Sequence, residues 1–175
     1  MIKKVRFWVG ANRIGPDMPL THWMLFFKAL MSWLVKRKLK SCGELSEVRP
    51  GSYLVETQNI TIGKRVVIRP NTMLMADDVA EIVIGDDVLI GCGVHMYVND
   101  HCFDDVSKPI FQQGYYPSKN VVVADDVWIG ANAIILAGVK VGTHSVIAAG
   151  SVVTRDVEPF SVYAGVPAKK IKAIK

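Results

Sequence analysis

Between Val123 and Val153 a branched aliphatic residue returns at every sixth position: Val123, Ile129, Ile135, Val141, Ile147 and Val153. The next residues, Ala124, Gly130, Leu136, Gly142, Ala148 and Thr154, fall where a bend would come. Four positions after each aliphatic stands a small or β-branched residue: Val127, Ala133, Val139, Ser145, Ser151 and Val157. Amphipathic helices repeat about every 3.6 residues and half-buried strands every second residue. An unbroken period of six matches neither alone. It predicts short flat strands joined by tight corners, stacked as a β-solenoid in which each unit buries its apolar face on the next.

The register extends toward the N-terminus. Ile62, Ile68 and Leu74 keep it, it slips at Ala80–Val83, and Ile84, Ile90 and Met96 resume it. Ile62 and Ile84 lie 22 residues apart, which is three hexapeptides plus a four-residue insertion. One turn therefore holds three hexapeptides, and the coil is triangular. The residue equivalent to Ile84 on the next turn would be Cys102, but there the repeat fails. Residues 102–121, CFDDVSKPIFQQGYYPSKNV, have no six-residue period and two prolines. They predict a loop extruded from the stack, and a long loop on a rigid scaffold is read here as a functional wall. Tyr53, Leu54 and Val55 start the first coil. Pro159, Gly165 and Pro167 end the repeat, with a short cap and the basic tail Lys169, Lys170, Lys172 and Lys175 behind them.

The front of the chain has a different period. After turn signals at Gly10–Asn12 and Gly15–Asp17, residues 20–39 predict one helix. Pro19 or Leu20 opens it and Asp17 places negative charge at its N-terminus. Trp23, Phe26, Phe27, Leu30, Trp33 and Leu34 fall on one broad face, widened by Met24, Leu25 and Met31, and Lys36, Arg37, Lys38 and Lys40 load the end. Lys28 and the short apolar run argue against a membrane span. Two roles stand open: packing on an open end of the solenoid or a neighbouring subunit, or lying on an anionic membrane surface through residues 20–40. The chain thus divides into a basic arm and helix over 1–45 and a solenoid with its cap over 46–175. A triangular prism with flat apolar faces also suits a closed ring of three.

Charge sharpens this division. The net charge is +5, yet residues 1–41 carry nine basic side chains and one acidic, leaving twelve basic and fifteen acidic in the rest. The arm could face lipid, a phosphorylated ligand or nucleic acid. Three cysteines, Cys42, Cys92 and Cys102, form no CxxC pair and leave an odd one, which points to a reducing cytoplasm. The opening MIKKVRFWVG has neither a long apolar region nor a small-residue cleavage site, so no signal peptide is read.

Chemistry concentrates where the repeat breaks. His22 reads as a cap or surface residue and His144 as an outer-face residue. His95 and His101 each end a hexapeptide, on successive faces of one coil. His95 lies within intact repeat. His101 stands in Asn99-Asp100-His101, where the loop begins, with Asp104 and Asp105 behind it. An imidazole near physiological pH is the usual general base, and a nearby carboxylate can orient it. Cys102 points away from His101 if the strand continues, which weakens a nucleophile–base pair. No histidine spacing suits a metal, and no glycine-rich nucleotide fingerprint is present.

The run VWIGANAIILAGVKVGTHSVIAAGSVVTRDV, followed by YAGVPAKKIK, resembles the hexapeptide-repeat acyltransferases, over about residues 60–173. The likeness is greatest to the sugar and xenobiotic O-acetyltransferases related to maltose and galactoside acetyltransferases. GANRIGPDMPLTHW resembles polysaccharide acetyltransferases. The resemblance implies an all-β chain, a left-handed parallel β-helix, which is an exception to the right-handed crossover preference. It also implies acetyl-CoA as co-substrate and a homotrimer with sites between subunits; no metal and no nucleic-acid partner is expected. His101 matches the family's base and Ala131 the amide that meets the oxyanion. Trp128, Ala131, Ala149 and Thr154 match positions along CoA, and Arg155, Lys169 and Lys172 are candidates for its phosphates. Asn99, Asp100 and Asn71 are candidates for the acceptor. The expected activity is transfer of an acetyl group to a sugar hydroxyl in surface polysaccharide synthesis. The rivals are N-acetylation of an amino or nucleotide sugar, a non-catalytic scaffold, and a metal-binding solenoid of the carbonic-anhydrase kind.

Overall fold

A computed structural model describes residues 10–175, so the reading of a missing signal peptide falls on residues 1–9, outside them. Three parallel sheets form the faces of a prism of about five turns. The first face stacks Ser41–Cys42, Ile60–Ile62, Ile82–Ile84, Val121–Val123 and Lys140–Val141. The second stacks Glu47–Val48, Val67–Ile68, Leu89–Ile90, Trp128–Ile129 and Val146–Ile147. The third stacks Tyr53–Val55, Met73–Met75, His95–Tyr97, Ile134–Ile135 and Val152–Val153. Strands this short cannot bury a core alone, so each turn depends on its neighbours. All six aliphatics of the repeat are buried, and so are the six small residues four places on.

The corners follow from backbone geometry. The first edge, between the first and second faces, carries Leu45, Arg65, Asp87, Asp126, His144 and Phe160, all with φ between 50° and 61°. The second edge, between the second and third faces, carries Gly51, Asn71, Gly93, Asn132 and Gly150 in the same left-handed region. Asn, Asp, His and glycine tolerate that region at little cost, whereas Leu45 and Phe160 are held in it by the corner. His144 is therefore a corner residue, with its Nδ1 2.5 Å from the Asp126 carboxylate.

The prism's edges differ in length. Along the inward aliphatics the step is six residues across the first edge (Cys42 to Val48, Ile84 to Ile90) and across the second (Val48 to Leu54, Ile90 to Met96). Across the third edge it is eight from Leu54 to Ile62, ten from Leu74 to Ile84, 27 from Met96 to Val123, and six from Ile135 to Val141. The slip expected at Ala80–Val83 and the excursion at 102–121 are two cases of one rule.

The N-terminal segment departs from the expected single helix. Pro19–His22 is α-helical, Trp23–Phe26 is a 3₁₀ turn, Phe27 is extended, and Lys28–Lys38 is α-helical. The break re-aims the apolar residues. Leu25, Met31, Leu34, Val35 and Leu39 enter the core, whereas Trp23, Phe26, Phe27 and Trp33 are exposed. Of the expected face, Leu25, Met31 and Leu34 are buried and Met24 and Leu30 half-buried, while the four aromatics are not. The second helix packs on Ser41–Cys42 and Glu47–Val48 and so covers the open end of the first coil. Ser41–Cys42 already pairs with Ile60–Ile62, five residues ahead of the boundary expected at 46. Asp17 does not serve the helix; Met18 stands at its N-cap, and the Asp17 carboxylate accepts from Arg13 (3.0 Å) and Tyr53 (3.1 Å) instead. His22 accepts from the Gly51 amide through Nε2 at 3.2 Å, and burial lowers its pKa, which Asp17 partly opposes. At the other end Lys169–Ala173 folds back antiparallel on Ser161–Ala164 and widens the second face.

Candidate active site

A groove runs along the second edge. The residues just after the inward aliphatics of the second face are Arg49, Arg69, Gly91, Gly130 and Ala148. Each donates its N–H to the next coil: Arg49 to Ile68, Arg69 to Ile90, Gly91 to Ile129, Gly130 to Ile147 and Ala148 to Tyr163. A Cβ on Gly91 would meet the Ala131 nitrogen at 2.6 Å, and one on Gly130 the Ala149 nitrogen at 2.5 Å. Only glycine allows these backbones so close. Arginine thus gives way to glycine and alanine along the column, and the corner hollows into a cavity of about 590 Å³. Trp128, Ala131 and Ala149, all expected to meet the cofactor, line it together. Arg69 and Cys92 line it too, and neither is among the residues expected from the sequence. The sequence carried half of their signal: the spacing puts Ile68 and Ile90 on one face, but the excursion before Ile129 hides that Trp128 and Ala131 share their corner.

The groove is apolar but offers donors. Among the described residues, the amides of Cys92, Ala131 and Ala149 have no hydrogen-bond partner. They are stacked one coil apart, about 4.8 Å. Such a ladder of unpaired N–H groups can receive carbonyl oxygens or a developing oxyanion.

His101 lies on another edge. It leaves the third face after His95–Tyr97, at the neck of the excursion, where it bridges to Tyr115 and stacks on that ring at 4.2 Å between centroids. The neck is tied by Tyr116 N–H to the Asp100 carbonyl, Cys102 N–H to Gly114, and Lys119 N–H to Val98. Asn99 donates to Asp77 at 2.9 Å. Asp77 also accepts from Ser118 and from the amides of Val79 and Ala80. Burial works against the charge of Asp77, but these four donors outweigh it and hold its pKa low. The insertion between Leu74 and Ile84 is thus the anchor of the excursion above it. Nearby, Tyr97 hydrogen-bonds His95 Nδ1 at 2.9 Å, and burial, then the Asp100 charge, raises the Tyr97 pKa. Cys102 is half-buried.

The other expected residues divide the same way. Thr154 and Arg155 follow Val153 on the third edge and are exposed. Lys169 and Lys172 are exposed on the last strand. Lys170 is taken by Glu158 at 2.5 Å. Asn71 is the left-handed residue of its corner and lines a separate cavity of about 350 Å³ with Asp17, Tyr53 and Met73. Within one chain the third face separates His101 from Ala131, a span of roughly 15–20 Å for five or six extended residues. His101 and the groove cannot meet in a single copy, but in a ring of prisms one copy's third edge can face the next copy's second edge. No cluster of potential metal ligands occurs among the described residues.

Residues 120–155 match the family model described as bacterial transferase hexapeptide (six repeats). The galactoside O-acetyltransferase of Escherichia coli K12 is 36% identical over 141 residues, 81% of this chain and 67% of the relative. That of Lactococcus lactis is 32% identical over 135 residues, 77% and 63%. Among solved structures, a hexapeptide-repeat acetyltransferase from Vibrio cholerae complexed with acetyl coenzyme A superposes with a TM-score of 0.80 at 31% identity, over 99% of this chain and 89% of that one. A galactoside acetyltransferase in complex with coenzyme A gives 0.79 at 31%, over 90% and 78%. The fold is that of the left-handed β-helix acetyltransferases. The repeat, the hollowed corner and these likenesses together place the chain in the hexapeptide-repeat acetyltransferase family.

Proposed function

We propose that the chain transfers an acetyl group from acetyl-CoA to a sugar hydroxyl. The single observation that carries this is the groove: Trp128, Ala131 and Ala149 on one wall, with unpaired amides at Cys92, Ala131 and Ala149. The pantetheine arm lies along that wall and its carbonyls accept from the amide ladder. Trp128 packs on the arm. Lys169 and Lys172, toward the C-terminal end, meet the CoA phosphates with Arg155 from the third edge of the neighbouring copy. Thr154 flanks them.

His101 of a neighbouring copy takes the proton from the acceptor hydroxyl as that oxygen attacks the thioester carbonyl. The carbonyl oxygen becomes an oxyanion held by the Ala131 N–H. Collapse expels CoA thiolate, which takes a proton back. Attack is direct, because no activated nucleophile accompanies His101. Asn99 and Asp100 set the neck from which His101 projects, and Asn71 faces the acceptor. The protein works as a homotrimer in the cytoplasm, on sugars destined for surface polysaccharide. Replacing His101 by alanine lowers turnover about 10²–10⁴-fold with folding intact. Near-normal turnover in that variant removes His101 from the role, and mass analysis of the product distinguishes ester from amide.

A second contact follows from the N-terminal segment. Trp23, Phe26, Phe27 and Trp33 are exposed beside Lys28, Lys36 and Arg37, with Arg37 over the Trp33 ring at 5.5 Å. Exposed aromatics interleaved with cations suit an anionic membrane surface. No helix among the described residues is long and apolar enough to cross a membrane. Flotation with vesicles containing anionic lipid at low salt gives bound protein, and failure to float ends this reading.

A further inference from the structure

Arg69 sits where the groove ends. It is the charged residue in a lining otherwise made of Gly91, Cys92, Trp128, Gly130, Ala131 and the Val146–Ala149 run. The other arginines of the first two coils are engaged: Arg49 pairs with Glu47 at 2.5 Å and Arg65 with Asp87 at 2.5 Å. The Arg69 guanidinium has no hydrogen-bond or ion-pair partner among the described residues. A guanidinium offers a planar fork matched to a carboxylate, and at the rim of an apolar cavity such a pair is screened less than on open surface.

Height along the prism says which end of the reaction Arg69 serves. His101 leaves the stack from the coil of His95–Tyr97, level with Gly91 and Cys92. Arg69 lies one coil below that level, about 4.8 Å along the axis. In a ring of prisms related by rotation about the same axis, levels are shared between copies. The CoA-side residues run the opposite way: Ala131 one coil above, Ala149 two above, then Arg155, Lys169 and Lys172. Arg69 therefore stands beyond the thioester, on the acceptor side. Its corner continues through Pro70 into Asn71, which lines the adjoining cavity with Asp17 and Tyr53.

We infer that Arg69 binds a carboxylate on the acceptor, so that the substrate class is an acidic sugar, a uronic or sialic acid residue, rather than a neutral hexose. This rests on the acetyl-transfer reading above. The test compares p-nitrophenyl β-D-glucuronide with p-nitrophenyl β-D-glucoside as acceptors for acetyl-CoA, in the wild-type chain and in Arg69→Gln. The wild type favours the glucuronide in kcat/KM by about 10- to 100-fold, the Gln variant loses the preference, and KM for acetyl-CoA stays unchanged. Arg69→Lys keeps part of it.

Three results overturn the inference: equal use of both glycosides by the wild type; a raised KM for acetyl-CoA in Arg69→Gln with the preference intact, which makes Arg69 a phosphate contact; or a preference for succinyl-CoA over acetyl-CoA that Arg69→Gln removes, which puts the carboxylate on the acyl group. Transfer to both glycosides alike leaves the acetyltransferase reading standing. If neither is turned over, calorimetry of glucuronate and glucose binding to the CoA-loaded protein decides. Glucuronate bound by the wild type and lost in Arg69→Gln supports the inference, and no difference between the sugars sinks it.

Discussion

Gly91 and Gly130 each stand where any side chain would strike the backbone of the next coil, at 2.6 and 2.5 Å. The same vacancy makes the groove. Gly130→Ala therefore costs about 1–3 kcal/mol by overpacking, read as a lowered Tm, and narrows the groove beside Ala149, raising KM for acetyl-CoA in whatever fraction still folds. A variant that is as stable and as active as the wild type would show that the corner yields. Sequence alone assigned Gly130 to a bend from its place after Ile129. That Gly91 and Arg69 share its column was not legible without the strand register, because the spacing from Ile90 to Ile129 is interrupted by the excursion.

At the scale of elements, the excursion depends on a carboxylate one coil below. Asp77 accepts from Asn99 and Ser118, one from each limb of the neck. Asp77→Ala frees that neck. Amide exchange over residues 99–119 speeds up, and turnover falls while binding of acetyl-CoA is retained. Unchanged exchange would mean that the His101–Tyr115 bridge suffices. Because the Asp77 pKa is lower in the folded chain than in the unfolded one, its stabilisation is present above the ordinary carboxylate range. It is lost as pH falls through the lowered value. The loop should loosen in acid before the solenoid does, and Asp77→Ala should remove that step. The loop's existence was plain from the failed period at Cys102. Its anchor was not, since Asp77 lies in an insertion whose only sequence signal was a slip in register. The helix was misread for a related reason: a 3.6-residue period shows which residues are apolar, not where the chain bends at Phe27 to seat Met31 and Leu34 on the first coil.

At the scale of the whole molecule, one chain carries His101 and the groove on different edges, and the proposed reaction needs both. The assembly should be a trimer of about three times 19.3 kDa by analytical ultracentrifugation. Two inactive variants should also rescue each other. Subunits with His101→Ala, denatured and refolded with subunits whose groove is filled by Ala149→Trp, form mixed rings. Some interfaces there join an intact His101 to an intact groove, and activity is expected to return. No recovery from a mixture shown to exchange would put both halves in one subunit.

Chain length can change at one edge of the prism and not at the other two. Six residues span the first and second edges at every turn described above, whereas the third edge takes six, eight, ten or 27. An insertion there lifts away from the stack and returns in phase, so each inward residue stays inward. At the second edge the next coil's backbone presses on Gly91 and Gly130, leaving an insertion no room to leave the stack. The plain corner at Leu136–Val139 is then a place where new sequence can be spliced in. A short Gly-Ser segment inserted at Ala137 should leave the fold intact, and the same segment at Ala148 should abolish it. The excursion bearing His101 is what such an edge has already accepted.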